Sequence, residues 1–98
     1  MEIQQLTEKM HDFVRSKGWY EADSKRPQTP RNLSISLALE AAEILEHFQW
    51  NDDFNKDELE EELADVALYL LQLASISEID LEEAILRKLE INAKREWD

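Results

Sequence analysis

The chain contains one glycine and two prolines, and all three, Gly18, Pro27 and Pro30, lie between positions 18 and 30. Glycine and proline are the strongest local interrupters of regular backbone. Confining them to one stretch leaves long unbroken segments elsewhere, and the spacing of apolar residues decides what those segments become. Ile3, Leu6, Met10, Phe13 and Val14 recur at helical spacing, the signature of one buried helix face. Gly18 stands where that helix needs its C-terminal cap.

Trp19 to Gln28 is polar and irregular, and Thr29-Pro30 then supplies an N-cap followed by a first-turn proline, which together start a helix. This second helix is predicted to run to about Trp50, where Asn51-Asp52-Asp53 breaks the pattern. Asn55 followed by Glu58, and Asp80 followed by Glu83, repeat a helix-start signal. A third helix is predicted to reach about Ser77, and a fourth carries Leu81, Ala84, Ile85 and Leu89 as its apolar stripe. Four helices on short links give an all-α, four-helix bundle-like fold, one domain over residues 1–98.

The second helix has an unusual distribution. Leu33, Leu37, Ala41, Ile44 and Phe48 form one stripe, while Ile35, Leu39 and Ala42 sit nearly opposite. Both sides are expected to be buried. A chain of 98 residues encloses only a modest core by itself, so a homo-oligomer, a homodimer or homotetramer, is expected to cover the second side.

Asp and Glu number 23 against 11 Lys and Arg, a formal net charge of −12. Such a chain repels a phosphate backbone, so duplex nucleic acid is not an expected partner. A bound metal ion can still invert the field locally. The absence of cysteine removes disulfides, thiolate metal sites and cysteine nucleophiles. No apolar run approaches the ~18 residues of a membrane span. The opening Met-Glu-Ile-Gln-Gln lacks the basic start and apolar stretch of a secretion signal, so a cytoplasmic location is expected.

Four acids stand out by placement. Glu40 and Glu43 are three residues apart on the second helix, and Glu62 and Asp65 repeat that spacing on the third. Residues so spaced are neighbours on one helix face. At 100 degrees per residue, Glu40 and Glu62 fall at the edges of their helices' apolar stripes, whereas Glu60 and Glu61 point away. Glu43 and Glu62 each stand roughly 10 Å from the intervening turn, and Glu40 and Asp65 each about 14 Å, so the two pairs meet across an antiparallel helix pair at matching depths. Carboxylates this close beside an apolar seam resist ionising together unless a counter-charge is present. A hard divalent cation resolves the conflict, and all-oxygen ligation without cysteine or a convergent histidine points to Mg2+, with Mn2+ as substitute. Glu40, Glu43, Glu62 and Asp65 are the expected metal ligands.

With Glu40-Ala-Ala-Glu43 on one helix and Glu62-Leu-Ala-Asp65 on the next, the chain resembles the MazG-like, all-α nucleoside triphosphate pyrophosphohydrolases. The flanks Pro30-Arg31-Asn32-Leu33, Glu46-His47-Phe48-Gln49-Trp50 and Glu61-Glu62-Leu63-Ala64-Asp65-Val66 are most similar to the small dCTP-hydrolysing branch. The resemblance implies hydrolysis of a nucleoside triphosphate to the monophosphate and pyrophosphate, with Mg2+ held by the four acids and Glu43 or Glu62 accepting a proton as catalytic base. It further implies a base pocket at Trp19, Trp50 and Tyr69. In the last helix Lys88 and Asn92 match a Lys-x-x-x-Asn element that reaches the phosphates, with Arg31 and Arg95 as further phosphate-binding candidates. Two departures bear on the pocket: Ala41 and Ala42 stand where relatives often carry glycine, and Arg95-Glu96-Trp97 where many end in Arg-Tyr-Pro.

Other readings stay open at this level. A dUTP-directed, phosphoribosyl-ATP-directed or broad-specificity hydrolase of the same superfamily differs only in the base pocket. A non-catalytic helical assembly module would use the two-sided helix alone. A di-iron bundle needs Glu-x-x-His on two helices, and Glu8-Lys9-Met10-His11 is the sole instance.

Overall fold

The computed structural model describes residues 1–97. It contains four helices, α1 Ile3–Ser16, α2 Pro30–Glu46, α3 Lys56–Ile76 and α4 Leu81–Lys94. Three of them begin as their sequences dictate. The side chains of Thr29, Asn55 and Asp80 accept hydrogen bonds from the backbone N–H groups of Asn32, Glu58 and Glu83 at 3.2, 3.1 and 3.1 Å. Each satisfies a donor that the first helical turn cannot pair internally.

Gly18 closes α1 with φ +73°. Its N–H donates to the Arg15 carbonyl at 3.0 Å and that of Trp19 to the Val14 carbonyl at 3.3 Å, the crossed pair of a Schellman cap. The same cap closes α3, where Glu78 N–H donates to Ser75 O at 3.1 Å and Ile79 N–H to Ala74 O at 2.9 Å. Here the left-handed position, φ 59°, is taken by Glu78.

α2 stops at Glu46, short of the predicted Trp50. The next three N–H groups, of His47, Phe48 and Gln49, reach carbonyls only three residues back, so the helix tightens and unwinds before Asn51. Trp50 therefore lies off the helix, with 86% of its surface exposed.

α2 and α3 form the principal pair, α1 packs on α3, and α4 meets α3 sparingly. Met10 and Val14 of α1, Leu33 of α2 and Ala74 of α3 are the buried apolar residues. The second face of α2, expected to be covered by another copy of the chain, is open in the single chain, with Ile35 46% and Leu39 62% exposed. On α3 the sequence spacing places Leu59, Leu63, Val66 and Leu70 on the inward stripe with Glu62 at its edge; the structure corrects this, since the inward face is rotated towards Glu62, Val66, Tyr69 and Gln72, which leaves Leu63 and Leu70 outside. Among the described residues, no helix is long and apolar enough to cross a membrane.

Candidate active site

The α2–α3 pair brings three of the four expected ligands together. Carboxylate oxygens of Glu40, Glu62 and Asp65 lie within 4.8 Å of one another. Glu43 stands outside that triad, exposed on α2, yet close enough to raise the proton affinity of both Glu40 and Glu62. The pairing runs from Glu40 beside Asp65 to His47 beside Glu62, so numbers rise along one helix as they fall along the other, as an antiparallel pair requires.

The electrostatics of the cluster are unbalanced. Burial, then the charges of Glu43 and Asp65, push the Glu40 carboxyl above the ordinary carboxylate range. Burial and Glu43 do the same to Glu62, against a partial opposing pull from His47. One oxygen of Glu40 and one of Glu62, both Oε2, are shielded from solvent and accept no hydrogen bond from the described residues. Orphaned buried acceptors are costly unless something electropositive meets them. Among the described residues, no lysine or arginine forms an ion pair with any of the four acids. Shielded, unpaired and convergent oxygens are a donor set that fits a hard divalent cation.

His47 corrects the expectation that no histidine converges on the acids. Its Nε2 stands 3.9 Å from Glu62 Oε1. The signal was present in the spacing, because residues 40, 43 and 47 share a helix face.

Beside the cluster, α1, the 19–29 segment, α2 and α3 enclose a cavity of about 550 Å³. Asp65 belongs to both the cavity wall and the carboxylate triad. Trp19 and Tyr69, both expected in a base pocket, line it; Trp50 does not. Trp19 is fixed by an edge-on contact with Phe13, ring centres 5.8 Å apart, and by the Arg26 guanidinium 5.8 Å over its ring. A volume of this size accommodates a small organic ligand.

The four residues assigned to phosphates are elsewhere in the single chain, since none of Arg31, Lys88, Asn92 and Arg95 lines the cavity. Arg31 donates to the neighbouring Asn32 side chain at 3.2 Å, and the Arg95 guanidinium lies 4.4 Å over the Trp97 ring. Asn92 keeps a shielded side-chain oxygen that meets no donor among the described residues. The basic groups on the cavity wall are instead Lys9, Lys25 and Arg26. Sequence reasoning also missed Gln28 and Gln72, which line its inner surface. Gln72 follows Asp65 and Tyr69 on one helix face, so its position was readable, though its burial was not.

The MazG-like family model matches residues 35–97. The dCTP pyrophosphatase 1 of Homo sapiens is 38% identical over 76% of this chain and 50% of that protein, and that of Mus musculus 35% over the same shares. The chain thus spans about half the length of the curated relatives it matches. A crystal structure of a pyrophosphatase from Archaeoglobus fulgidus superposes with a TM-score of 0.73 at 38% identity, covering 91% of this chain and 86% of that one.

Proposed function

Since the chain belongs to the MazG-like family, we propose that it hydrolyses a (deoxy)nucleoside triphosphate, dCTP or a modified pyrimidine nucleotide, to the monophosphate and pyrophosphate. The observation that carries this reading is the convergence of Glu40, Glu62 and Asp65 oxygens within 4.8 Å at the edge of an aromatic cavity that shares Asp65. One end suits a cation and phosphates, the other a base.

Glu40, Glu43, Glu62 and Asp65 would hold Mg2+, with Mn2+ a substitute. A divalent ion there supplies charge neutralisation for the phosphate oxygens and acidifies water. The residues of the chain do the rest. Trp19 and Tyr69 hold the base against a rigid apolar wall, which orients the phosphates towards the carboxylates. Lys25 and Arg26 at the cavity add positive charge in a strongly acidic molecule. A carboxyl whose proton affinity is raised, as for Glu62, is better matched to accept a proton from water near neutral pH than an ordinary one. Glu43 is the other candidate for that role. The reaction suits a cytoplasmic enzyme that clears unwanted nucleotides from the pool.

A panel of standard and modified NTPs and dNTPs with Mg2+, assayed separately for pyrophosphate and orthophosphate, tests this. Pyrophosphate and the monophosphate are the expected products. Orthophosphate release alone, or no turnover of any nucleotide, would overturn the proposal. In the second case the chain is better read as a helical assembly module; preferential turnover of dUTP would move it to another branch of the superfamily.

A further inference from the structure

Gln72 is the buried polar side chain among the described residues, 3% exposed, and it lines the cavity. It lies on the same face of α3 as Asp65 and Tyr69, two turns on from Asp65 and so about 10 Å along the helix axis. With phosphates at the carboxylates, that is the end of the cavity where the far edge of a nucleotide's base would lie.

The orientation of the Gln72 amide is fixed by a chain of hydrogen bonds that begins at a group with no choice. A backbone carbonyl can only accept, and the Arg26 carbonyl accepts from Gln28 Nε2 at 2.6 Å. Gln28 therefore turns its oxygen the other way, to accept from Gln72 Nε2 at 2.7 Å. The second N–H of Gln72 donates to the Tyr20 hydroxyl at 3.2 Å. The Tyr20 hydroxyl is also hydrogen-bonded to His11 Nδ1 at 2.6 Å, and His11 Nε2 to the Ser75 hydroxyl at 2.7 Å. Both amide hydrogens of Gln72 are thus consumed inside the protein. Among the described residues its Oε1 makes no hydrogen bond, and a carbonyl oxygen has two lone pairs to offer.

We infer that Gln72, held by Gln28, is the specificity-determining residue of the pocket, its amide oxygen accepting a hydrogen bond from the 4-amino group of a cytosine base. A cytosine presents an N–H donor at that edge, where uracil and thymine present a carbonyl oxygen. Two facing acceptors repel, and a buried acceptor left unpaired is penalised, so uracil nucleotides are rejected. This rests on the proposed function and deepens it.

The test compares dCTP, dUTP and the deoxynucleotide of 2-pyrimidinone, which lacks the 4-amino group, in wild type, Gln72→Met and Gln28→Met. Wild type should favour dCTP over both others in kcat/KM by about 10- to 100-fold. Gln72→Met should remove that preference, lowering dCTP turnover because the 4-amino group loses its acceptor and raising dUTP turnover because the acceptor that faced its carbonyl is gone. Gln28→Met should narrow the preference from the other side, because a freed amide can rotate and offer its N–H to a carbonyl, so dUTP turnover rises. Calorimetric binding of dCMP against dUMP reads the same preference without chemistry. A dCTP:dUTP ratio unmoved in folded Gln72→Met overturns the inference while the hydrolase reading stands. Should Gln72→Met fail to fold, the ratio in Gln28→Met decides in the same way. Absent turnover, with a dCMP preference that Gln72→Met abolishes, would leave the inference standing and remove the hydrolase reading.

Discussion

At the scale of single residues, the acidic cluster and His11 depend on protons with opposite sign. Glu40 and Glu62 bind protons more tightly in the folded chain than the ordinary value of 4.5. Their contribution to the metal-free fold is therefore complete below about pH 4.5 and is lost as pH rises through the raised values. A cation must displace those protons, so the gain in melting temperature on adding Mg2+ should grow with pH across that window. Glu62→Gln should abolish the gain and cut pyrophosphate release by about 100-fold or more, because a neutral amide cannot replace an anionic ligand. The same variant should melt higher than wild type without metal, having shed a like charge. Full activity together with an intact Mg2+ response would remove Glu62 from the site. His11 behaves inversely. Burial and then the Arg15 charge hold its imidazole below 6.5. The unfolded chain then takes up a proton that the folded chain refuses, so stability is intact above about pH 6.5 and falls as pH drops below it. Thermal melts of wild type and His11→Gln between about pH 7.5 and 5.5 should diverge, with the steeper fall in wild type. Parallel curves would show that His11 does not titrate as described.

Two of the helix ends serve the same geometric role with different residues, and the difference has a sign. Gly18 and Glu78 both occupy the left-handed position of a Schellman cap. An L side chain there costs about 1 kcal/mol, which glycine avoids. Gly18→Ala should therefore destabilise by about 1 kcal/mol, a fall of roughly 5 °C in a domain this size. A Cβ at Gly18 would meet nothing closer than Glu21 Cγ at 4.0 Å, so the cost is conformational and not steric. Glu78→Gly should stabilise by about 0.5 kcal/mol, the relieved strain exceeding the extra freedom glycine has when unfolded. Denaturant midpoints of both variants check the pair, and a stabilising Gly18→Ala would contradict the account. These caps also show what a sequence reveals of an element. Thr29-Pro30, Asn55 and Asp80 announce helix starts because short polar side chains are chosen for that one bond, and Gly18 announces an end because no other residue adopts its backbone freely. Glu78 announces nothing, since its conformation is imposed by the chain around it. The early end of α2 was equally hidden: Phe48 and Trp50 continue an apolar rhythm that the backbone has already abandoned. Matching the depths of acids on two helices placed Glu40, Glu62 and Asp65 together because helix rise is constant. No comparable rule locates Trp50 or α4, whose positions depend on tertiary contacts alone.

For the whole molecule, the chain is too open for its length. Its radius of gyration is 16.0 Å, against about 13 Å for a compact domain of this size. Its accessible surface is 8126 Å², where a compact monomer of its mass would expose about 5,800 Å². The excess is of the order that one subunit surrenders in an obligate assembly. It is also apolar in the places that the sequence marked for burial. Leu39 on α2 and Leu89 on α4 are 62% and 60% exposed, on helix faces left open among the described residues. Trp50 and Lys88, expected to meet substrate yet not lining the cavity, are exposed as well. We propose that the chain self-associates, which would account for the shape and the exposed faces at once. Light scattering after gel filtration should give a mass of at least two chains, and the melting temperature should rise with protein concentration, because dissociation and unfolding are then coupled. Leu39→Asp should yield monomer with sharply reduced activity, while Gly18→Ala, destabilising but remote from that face, should remain assembled. A wild-type chain that runs as a monomer, with a melting temperature independent of concentration, would mean that the open α2 face serves some other end.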